Sequence, residues 1–255
     1  MARTDSNLIR QRDRVSPCES RLDGKRPRPH EDPHDSLLAG AGTSQTQWLD
    51  CFRRRLNDSY VEFIRALVAA VEAKDPFTRA HSATVATHAE AMAGRMKLKS
   101  SEIDTIRAAA LLHDVGKIGV PDALLTKPGP LTDDEYTVVK RHPETALAIL
   151  GHISFLASER PLILHHHERF DGDGYPDGLA GEKIPLGARV LAVADAIDAM
   201  FSPRCYKPAF DRQQVRSELM ACAGKQFDPN VTEIALDWLD SNPQLGADAD
   251  ATAAP

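Results

Sequence analysis

Aromatic residues are scarce in this 255-residue chain, at 5%. Sheets draw heavily on aromatic and β-branched residues, so their scarcity, beside long Ala- and Leu-bearing runs, points to helices rather than a β-sandwich. Cysteine is sparse too. Cys18, Cys51, Cys205 and Cys222 are scattered with no C-x-x-C pair, the pattern of reduced thiols in a cytoplasmic protein rather than of a disulfide framework. Positive charge is not in excess either: the net charge of -6 argues against a partner that is a nucleic-acid polymer. No apolar run reaches the roughly 20 residues of a membrane span, and no signal-peptide core opens the chain. A cytoplasmic protein without a membrane span is expected.

What is present is helical patterning between two polar ends. Residues 1–46 are rich in Arg, Asp, Ser, Pro and Gly, net basic between Arg3 and Arg28, and read as a disordered basic tail. Residues 241–255 read as a second disordered tail, leaving 47–240 as one domain. Within it, Leu49, Phe52, Leu56, Tyr60, Phe63, Leu67 and Val71 predict a helix over Trp48–Glu72. Further helices are predicted over His81–Met96, from Ser101 (with Asp104 three residues on) to His113, and from a Thr132/Glu135 capping box up to His142. Others are expected over 144–150, 159–167, Leu186–Phe201, Arg212–Cys222 and Val231–Leu239. Residues 168–184 form a long Gly/Pro loop, a length that is usually functional when it is ordered. No stretch reads as a strand. The fold class is all-α.

Of the ten histidines, His81, His113, His142, His166 and His167 fall in the middle of the chain. Several sit in apolar surroundings that should bury them. His113-Asp114 follows Ala108-Ala109-Ala110-Leu111-Leu112, His166-His167 follows Pro161-Leu162-Ile163-Leu164, and Asp195 interrupts Val190-Leu191-Ala192-Val193-Ala194. A buried carboxylate with no partner destabilises a protein by on the order of several kcal/mol, so unrelated core residues are a poor explanation. Imidazole and carboxylate together suit Mn, Fe, Ni, Co or Zn. Five His and two Asp exceed what one open site needs. Two metals sharing a carboxylate fit better, and such pairs clamp phosphate-ester oxygens.

The stretch HDVGK (His113–Lys117) resembles the signature of HD-domain metallophosphohydrolases. HHERFDGDGYPDGL (His166–Leu179) resembles the extended signature of the HD-GYP family, with Gly174-Tyr175-Pro176 intact. Supporting blocks are AVEAKDPFTRAHS (Ala70–Ser82), IGVPDALLTKPGPLT (Ile118–Thr132), KRHPETALAIL (Lys140–Leu150), IPLGARVLAVADAIDAM (Ile184–Met200) and GKQFDP (Gly224–Pro229). The resemblance implies a helical bundle around a dinuclear metal site that hydrolyses cyclic di-GMP to pGpG or GMP. It places the metal ligands on His81, His113, Asp114, His142, His166, His167 and Asp195, with Asp114 as the bridge. His81, His113 and Asp195 would serve one ion and His142, His166 and His167 the other. The two ions would be Fe or Mn foremost, with Ni, Co or Zn as alternatives. Lys117 would be catalytic, stabilising charge at the scissile phosphate together with Asp114. Asp75, Tyr175, Asp198, Arg204 and Lys207 would contact substrate. Phe77 stands where members with a third metal carry an acidic residue, which implies two metals. Ala80 and Ala146 replace common glycines and Cys205 a common proline. Alternative readings are a regulatory module that binds a cyclic dinucleotide or a partner without turnover, and hydrolysis of another cyclic dinucleotide such as cGAMP. A GGDEF-domain protein and a second copy of the chain are the expected protein partners.

Overall fold

The computed structural model describes residues 61–74, 81–203 and 209–246. The expectations for residues 1–60, Asp75, Phe77, Ala80, Arg204, Cys205, Lys207 and 247–255 lie outside the described residues. Helix α1 covers 61–72, the described part of the first predicted helix. It is followed by α2 (His81–Arg95), α3 (Ser100–Leu112), α4 (Asp122–Leu125), α5 (Asp133–Val139) and α6 (His142–Leu150). Then come α7 (Arg160–Leu164), α8 (Leu186–Phe201), α9 (Arg212–Cys222) and α10 (Pro229–Asp240). Three 3-10 turns, Val115–Gly119, Ser154–Leu156 and Gly181–Lys183, link them. No strand occurs among the described residues, and the all-α expectation is met.

The centre of the bundle is α8. Val190, Leu191, Val193, Ala194 and Ile197 are all fully buried, so this helix is apolar around most of its circumference, as a helix packed on several sides must be. Against it lies α2, with Val85, Ala89 and Met92 inward, and α2 in turn packs on α3. Alanines at 86, 89, 93 and 108–110 line these contacts and let the backbones approach closely. Behind α8, α10 is started by Asp228, whose carboxylate accepts the Asn230 and Val231 amides at 2.8 and 3.4 Å.

The structure moves several predicted boundaries. Helix α3 starts at Ser100 rather than Ser101, because Glu102, not Asp104, reaches back to accept the Lys99 amide at 3.0 Å. Helix α6 begins at His142, two residues early, since Pro143 at its start needs no hydrogen-bonded amide. For the same reason Pro229 opens α10 ahead of the expected Val231. Helix α7 is only five residues long and stops before the histidines it was expected to contain. The loop after it is folded, with a 3-10 turn, rather than structureless. Beyond α10, the Asn242 carbonyl accepts from Arg212 at 2.9 Å, and Leu245 packs against the core.

Candidate metal centre and active-site cleft

The histidines stand where helices end. An α-helix leaves its last four carbonyls without amide partners, and three helices give one such carbonyl to a histidine three residues on. His113 Nδ1 lies 2.7 Å from the Ala110 oxygen, His142 Nδ1 2.9 Å from that of Val139, and His166 Nδ1 2.7 Å from that of Ile163. A carbonyl only accepts, so each Nδ1 donates its proton to it and each Nε2 points inward; burial holds His142 and His166 below the usual histidine range, which leaves their Nε2 lone pairs bare. His81, the first residue of α2, donates from Nδ1 to Asp198 at 2.6 Å.

The inward atoms converge on Asp114, which is buried in the turn after α3 with φ -94° and ψ 4°. Its Oδ2 lies 3.4 Å from His113 Nε2 and 3.8 Å from His81 Nε2. Asp195 Oδ1 is 3.3 Å from His81 Nε2 and 4.0 Å from His113 Nε2 on that same side. The other oxygen, Oδ1, lies 3.5 Å from His142 Nε2, which is itself 3.3 Å from His166 Nε2. His167 completes this second side, its ring centroid 5.0 Å from that of His142 and 4.0 Å from that of His166. The ligand atoms of His142, His166 and His167 all lie within 4.8 Å of one another, as do those of His81, His113 and Asp114. One carboxylate therefore stands between two groups of ligand atoms.

Several features fit a cation here. His113 Nε2 is buried with no hydrogen-bond partner. The His142 and His166 lone pairs face each other at 3.3 Å, a repulsive contact that a cation between them would turn into a favourable one. Burial and the neighbouring imidazoles push His166 well below the usual histidine range, and burial foremost brings His167 down to about 3. Both rings are thus neutral, as ligation requires. Burial alone would raise Asp114, but Lys117 and the surrounding imidazoles hold it well below the usual carboxylate range. At His81, burial is outweighed by Asp195 and Asp198, which push the imidazole up to about 10. A metal bound there would displace that proton.

Lys117, in the 3-10 turn after Asp114, places its ammonium 2.7 Å from Asp114 Oδ2. It lines a cleft of about 500 Å³ with His81, Tyr136, Lys140 and Tyr175. A second cavity of about 480 Å³ also reaches His167, Arg169, Asp195 and Gln226, extending the cleft beneath Phe210 and Met200. Tyr175 lies on the cleft wall, its ring stacked on His167 at 4.9 Å.

Asp198 is 7% exposed and lies behind His81, whose Nδ1 donates to its Oδ2 at 2.6 Å. One expectation needs correction. Asp195, expected to be buried, faces the cleft with 24% of its side chain exposed, and Asp114 is the enclosed carboxylate. The sequence reading passed over Lys140, whose Nζ sits 4.6 Å over the Tyr136 ring and 5.5 Å from that of Tyr175. It passed over Glu168 as well, which is buried beneath the GYP loop. Adjacency to ligand histidines was the available signal for Glu168, and the position two residues before His142 for Lys140.

An all-helical domain that gathers histidines and aspartates at one buried point, under an open polar cleft, has the makings of a divalent-metal hydrolase. Residues 65–231 match the family model described as HD domain. The chain belongs to the HD domain family, with the HD pair at His113-Asp114. It is 43% identical over 188 residues to a cyclic di-GMP phosphodiesterase of Vibrio cholerae, a match covering 68% of this chain and 38% of that protein. It is 42% identical over 177 residues to the cyclic di-GMP phosphodiesterase response regulator RpfG of Xanthomonas campestris (69% of this chain, 47% of that one). A 3'3'-cGAMP-specific phosphodiesterase of Vibrio cholerae is 38% identical over 187 residues, covering 72% of this chain and 36% of that protein. The chain thus spans less than half the length of these relatives. Among solved structures, a cyclic GMP-AMP-specific phosphodiesterase of Vibrio cholerae superposes with a TM-score of 0.57 at 18% identity, over 75% of this chain and 51% of that one, a likeness of fold. No helix among the described residues is long and apolar enough to cross a membrane.

Proposed function

We propose that the chain is a phosphodiesterase that hydrolyses cyclic di-GMP with two divalent ions held on either side of Asp114. The observation that carries this reading is the division of Asp114: Oδ2 toward His81 and His113, which Asp195 joins, and Oδ1 toward His142, which is grouped with His166 and His167. Such a pair, when bound, supplies Lewis acidity to phosphoryl oxygens and a nucleophile at neutral pH. Fe or Mn suits this nitrogen-rich donor set, with Ni, Co or Zn next.

The chain's own residues supply the rest. Lys117 presents a fixed positive charge at the cleft floor, where charge gathers on the phosphate as the ester bond breaks. Lys140 offers a second cation on the wall. Tyr175 offers a ring face, and the cavity under Phe210 and Met200 gives a two-base substrate room beyond the metal centre. Hydrolysis opens one phosphodiester of the ring to give linear pGpG, and a second round gives GMP. The sequence relatives named for cyclic di-GMP support this substrate, and the one named for 3'3'-cGAMP supplies the competing arm of the test.

Purified protein, loaded anaerobically with Fe or Mn, is incubated with cyclic di-GMP, with 3'3'-cGAMP and with dNTPs, and the products are separated by chromatography. Conversion of cyclic di-GMP, abolished by Asp114→Ala, is the expected result. Wild-type turnover in Asp114→Ala would sink the mechanism. Faster turnover of 3'3'-cGAMP would move the substrate, and binding without turnover would make the chain a receptor.

A further inference from the structure

Glu168 is an ionisable residue that the proposed chemistry does not use, yet it is 4% exposed. Its two oxygens are spent on the loop that follows. Oε1 accepts the Asp177 amide at 2.8 Å and Oε2 the Leu179 amide at 3.1 Å. The neighbouring residues grip the same loop from the other side. The Tyr175 amide donates to the His167 carbonyl at 3.2 Å. Gly174 lies so close that a Cβ there would stand 2.5 Å from Glu168 Cα and 2.2 Å from the Arg169 nitrogen. Three consecutive residues, His167, Glu168 and Arg169, thus hold residues 174–179 by backbone contacts and a buried carboxylate. The ring between these attachments is Tyr175, stacked on His167 with the planes 29° apart.

We infer that Glu168 is a positioning residue, a buried clamp that fixes the 174–179 loop and so sets the Tyr175 ring over His167 at the mouth of the cleft. A carboxylate suits this task because it accepts two amides at once, and each bond is charge-assisted, roughly twice as strong as a neutral one. A glutamine offers one acceptor and sets an NH2 group against the second amide. Both bonds are part-buried, where a backbone amide deprived of its acceptor is costly.

A third cation site is the competing use of this residue. Ligand atoms of His165, Glu168 and Asp177 lie within 4.8 Å of one another. His165 Nδ1 is 3.7 Å from Glu168 Oε1 and 3.8 Å from Asp177 Oδ2, too far for hydrogen bonds. Both Glu168 oxygens already accept amides, however, and the Asp177 side chain is 57% exposed. The cluster therefore closes as a hydrogen-bonded clamp.

Hydrogen exchange tests the clamp without any assay of activity. In Glu168→Gln the Asp177 and Leu179 amides should exchange faster by roughly tenfold or more, the loss of a bond to a charged acceptor. Protection in α8 and the metal content should match wild type. Glu168→Asp, which keeps the charge but cannot span both amides, should fall between. The link to function rests on the phosphodiesterase reading. There Glu168→Gln should raise KM for cyclic di-GMP roughly tenfold, as should Tyr175→Ala on losing a stacked ring. The double variant should be no worse than Tyr175→Ala, because both changes remove one contact. Unchanged exchange, additive KM losses, or loss of one metal equivalent on Glu168→Gln would each overturn the inference. A chain that hydrolyses no cyclic dinucleotide would overturn the phosphodiesterase reading alone, and the exchange rates would still decide the clamp.

Discussion

Gly116 is the point where two parts of the metal centre are pressed together, and Gly116→Ala is the most informative single change. Backbone conformation is no obstacle, since Gly116 does not adopt a positive φ. Space is. A Cβ on Gly116 would lie 1.8 Å from the His142 carbonyl oxygen, 2.8 Å from its carbon and 2.6 Å from the Ala146 nitrogen. All three are backbone atoms, so no side chain can rotate away. Restoring even the 3.0 Å that Cβ atoms need requires the start of α6 and the turn after α3 to separate by about 1.2 Å. Those segments carry His142 and Asp114, whose facing atoms stand 3.5 Å apart. Metal sites tolerate about 0.2 Å of error in ligand distance, and a misplacement of about 1 Å costs roughly 10²-fold in rate. Turnover should therefore fall by about 10² or more, with loss of metal from the side built by His142, His166 and His167. Overpacking of this kind costs about 1–3 kcal/mol, which for a chain of this size lowers Tm by roughly 3–10 °C. Gly119→Ala is the control nearby, because its Cβ would meet only the Thr145 methyl at 3.0 Å, and Gly94→Ala meets nothing within 4 Å. Metal analysis, thermal melts and product chromatography on the three variants give the answer. Wild-type Tm and turnover in Gly116→Ala would refute the reasoning.

Two further changes separate support of the site from support of the fold. Asp198→Asn removes the charge behind His81 while keeping an acceptor for Nδ1. Losses at such outer partners typically weaken metal affinity about 10–100-fold, so titration with Mn should show one weakened site and one intact. Equal affinities in variant and wild type would exclude the role. Asp228 both caps α10 and forms a buried ion pair with Arg189. Asp228→Ala leaves a mostly buried guanidinium without its partner and should cost about 3–5 kcal/mol, whereas Asp228→Asn retains the cap. Urea midpoints should rank wild type above Asp228→Asn above Asp228→Ala; a wild-type midpoint in Asp228→Asn would show that the ion pair contributes nothing, and equal midpoints for the two variants that the cap contributes nothing.

The fold was most legible where a pattern and a stop signal coincided. Helices α8 and α9 begin and end where the sequence reading put them, because α8 is bounded by Pro185 and loses its apolar pattern after Phe201, and α9 opens on Asp211 and Gln214, which exchange hydrogen bonds at 2.8 Å. Helix α7 was drawn too long because nothing in Leu164–His167 breaks a helix by propensity; the chain leaves it where His166 takes the Ile163 carbonyl, a contact no local pattern reveals. His113-Asp114, His166-His167 and Asp195 stood out as polar groups in apolar runs, whereas His81 and His142 carried no such local signal and came in through the resemblance; the structure gathers all seven. Asp195 and Asp198 show the limit. Three residues apart on one helix face, they are equivalent by spacing, and only coordinates distinguish the one that faces Asp114's side of the cleft from the one behind His81. Glu168 and Lys140 carried only one signal, their nearness to the histidines, because a charged residue outside an apolar run otherwise reads as solvated surface.

The brevity of α5 and α7 follows from what their ends do. In a longer α7 the Ile163 carbonyl would be consumed by the His167 amide four residues on, while four residues after Val139 stands Pro143, which has no N–H to give. Both oxygens are thus free to take the Nδ1 protons of His142 and His166. Helix α3, at thirteen residues, does the same with Ala110 and His113. Each histidine is thereby fixed in tautomer and ring direction by rigid backbone rather than by a second side chain, at no cost in buried charge. His81 lies at a helix start, where the first four backbone groups left over are amides, not carbonyls. There a carboxylate, Asp198, does the orienting. His142 opens a helix too, but it reaches back to the Val139 carbonyl of α5, so the one charged partner in the set belongs to His81.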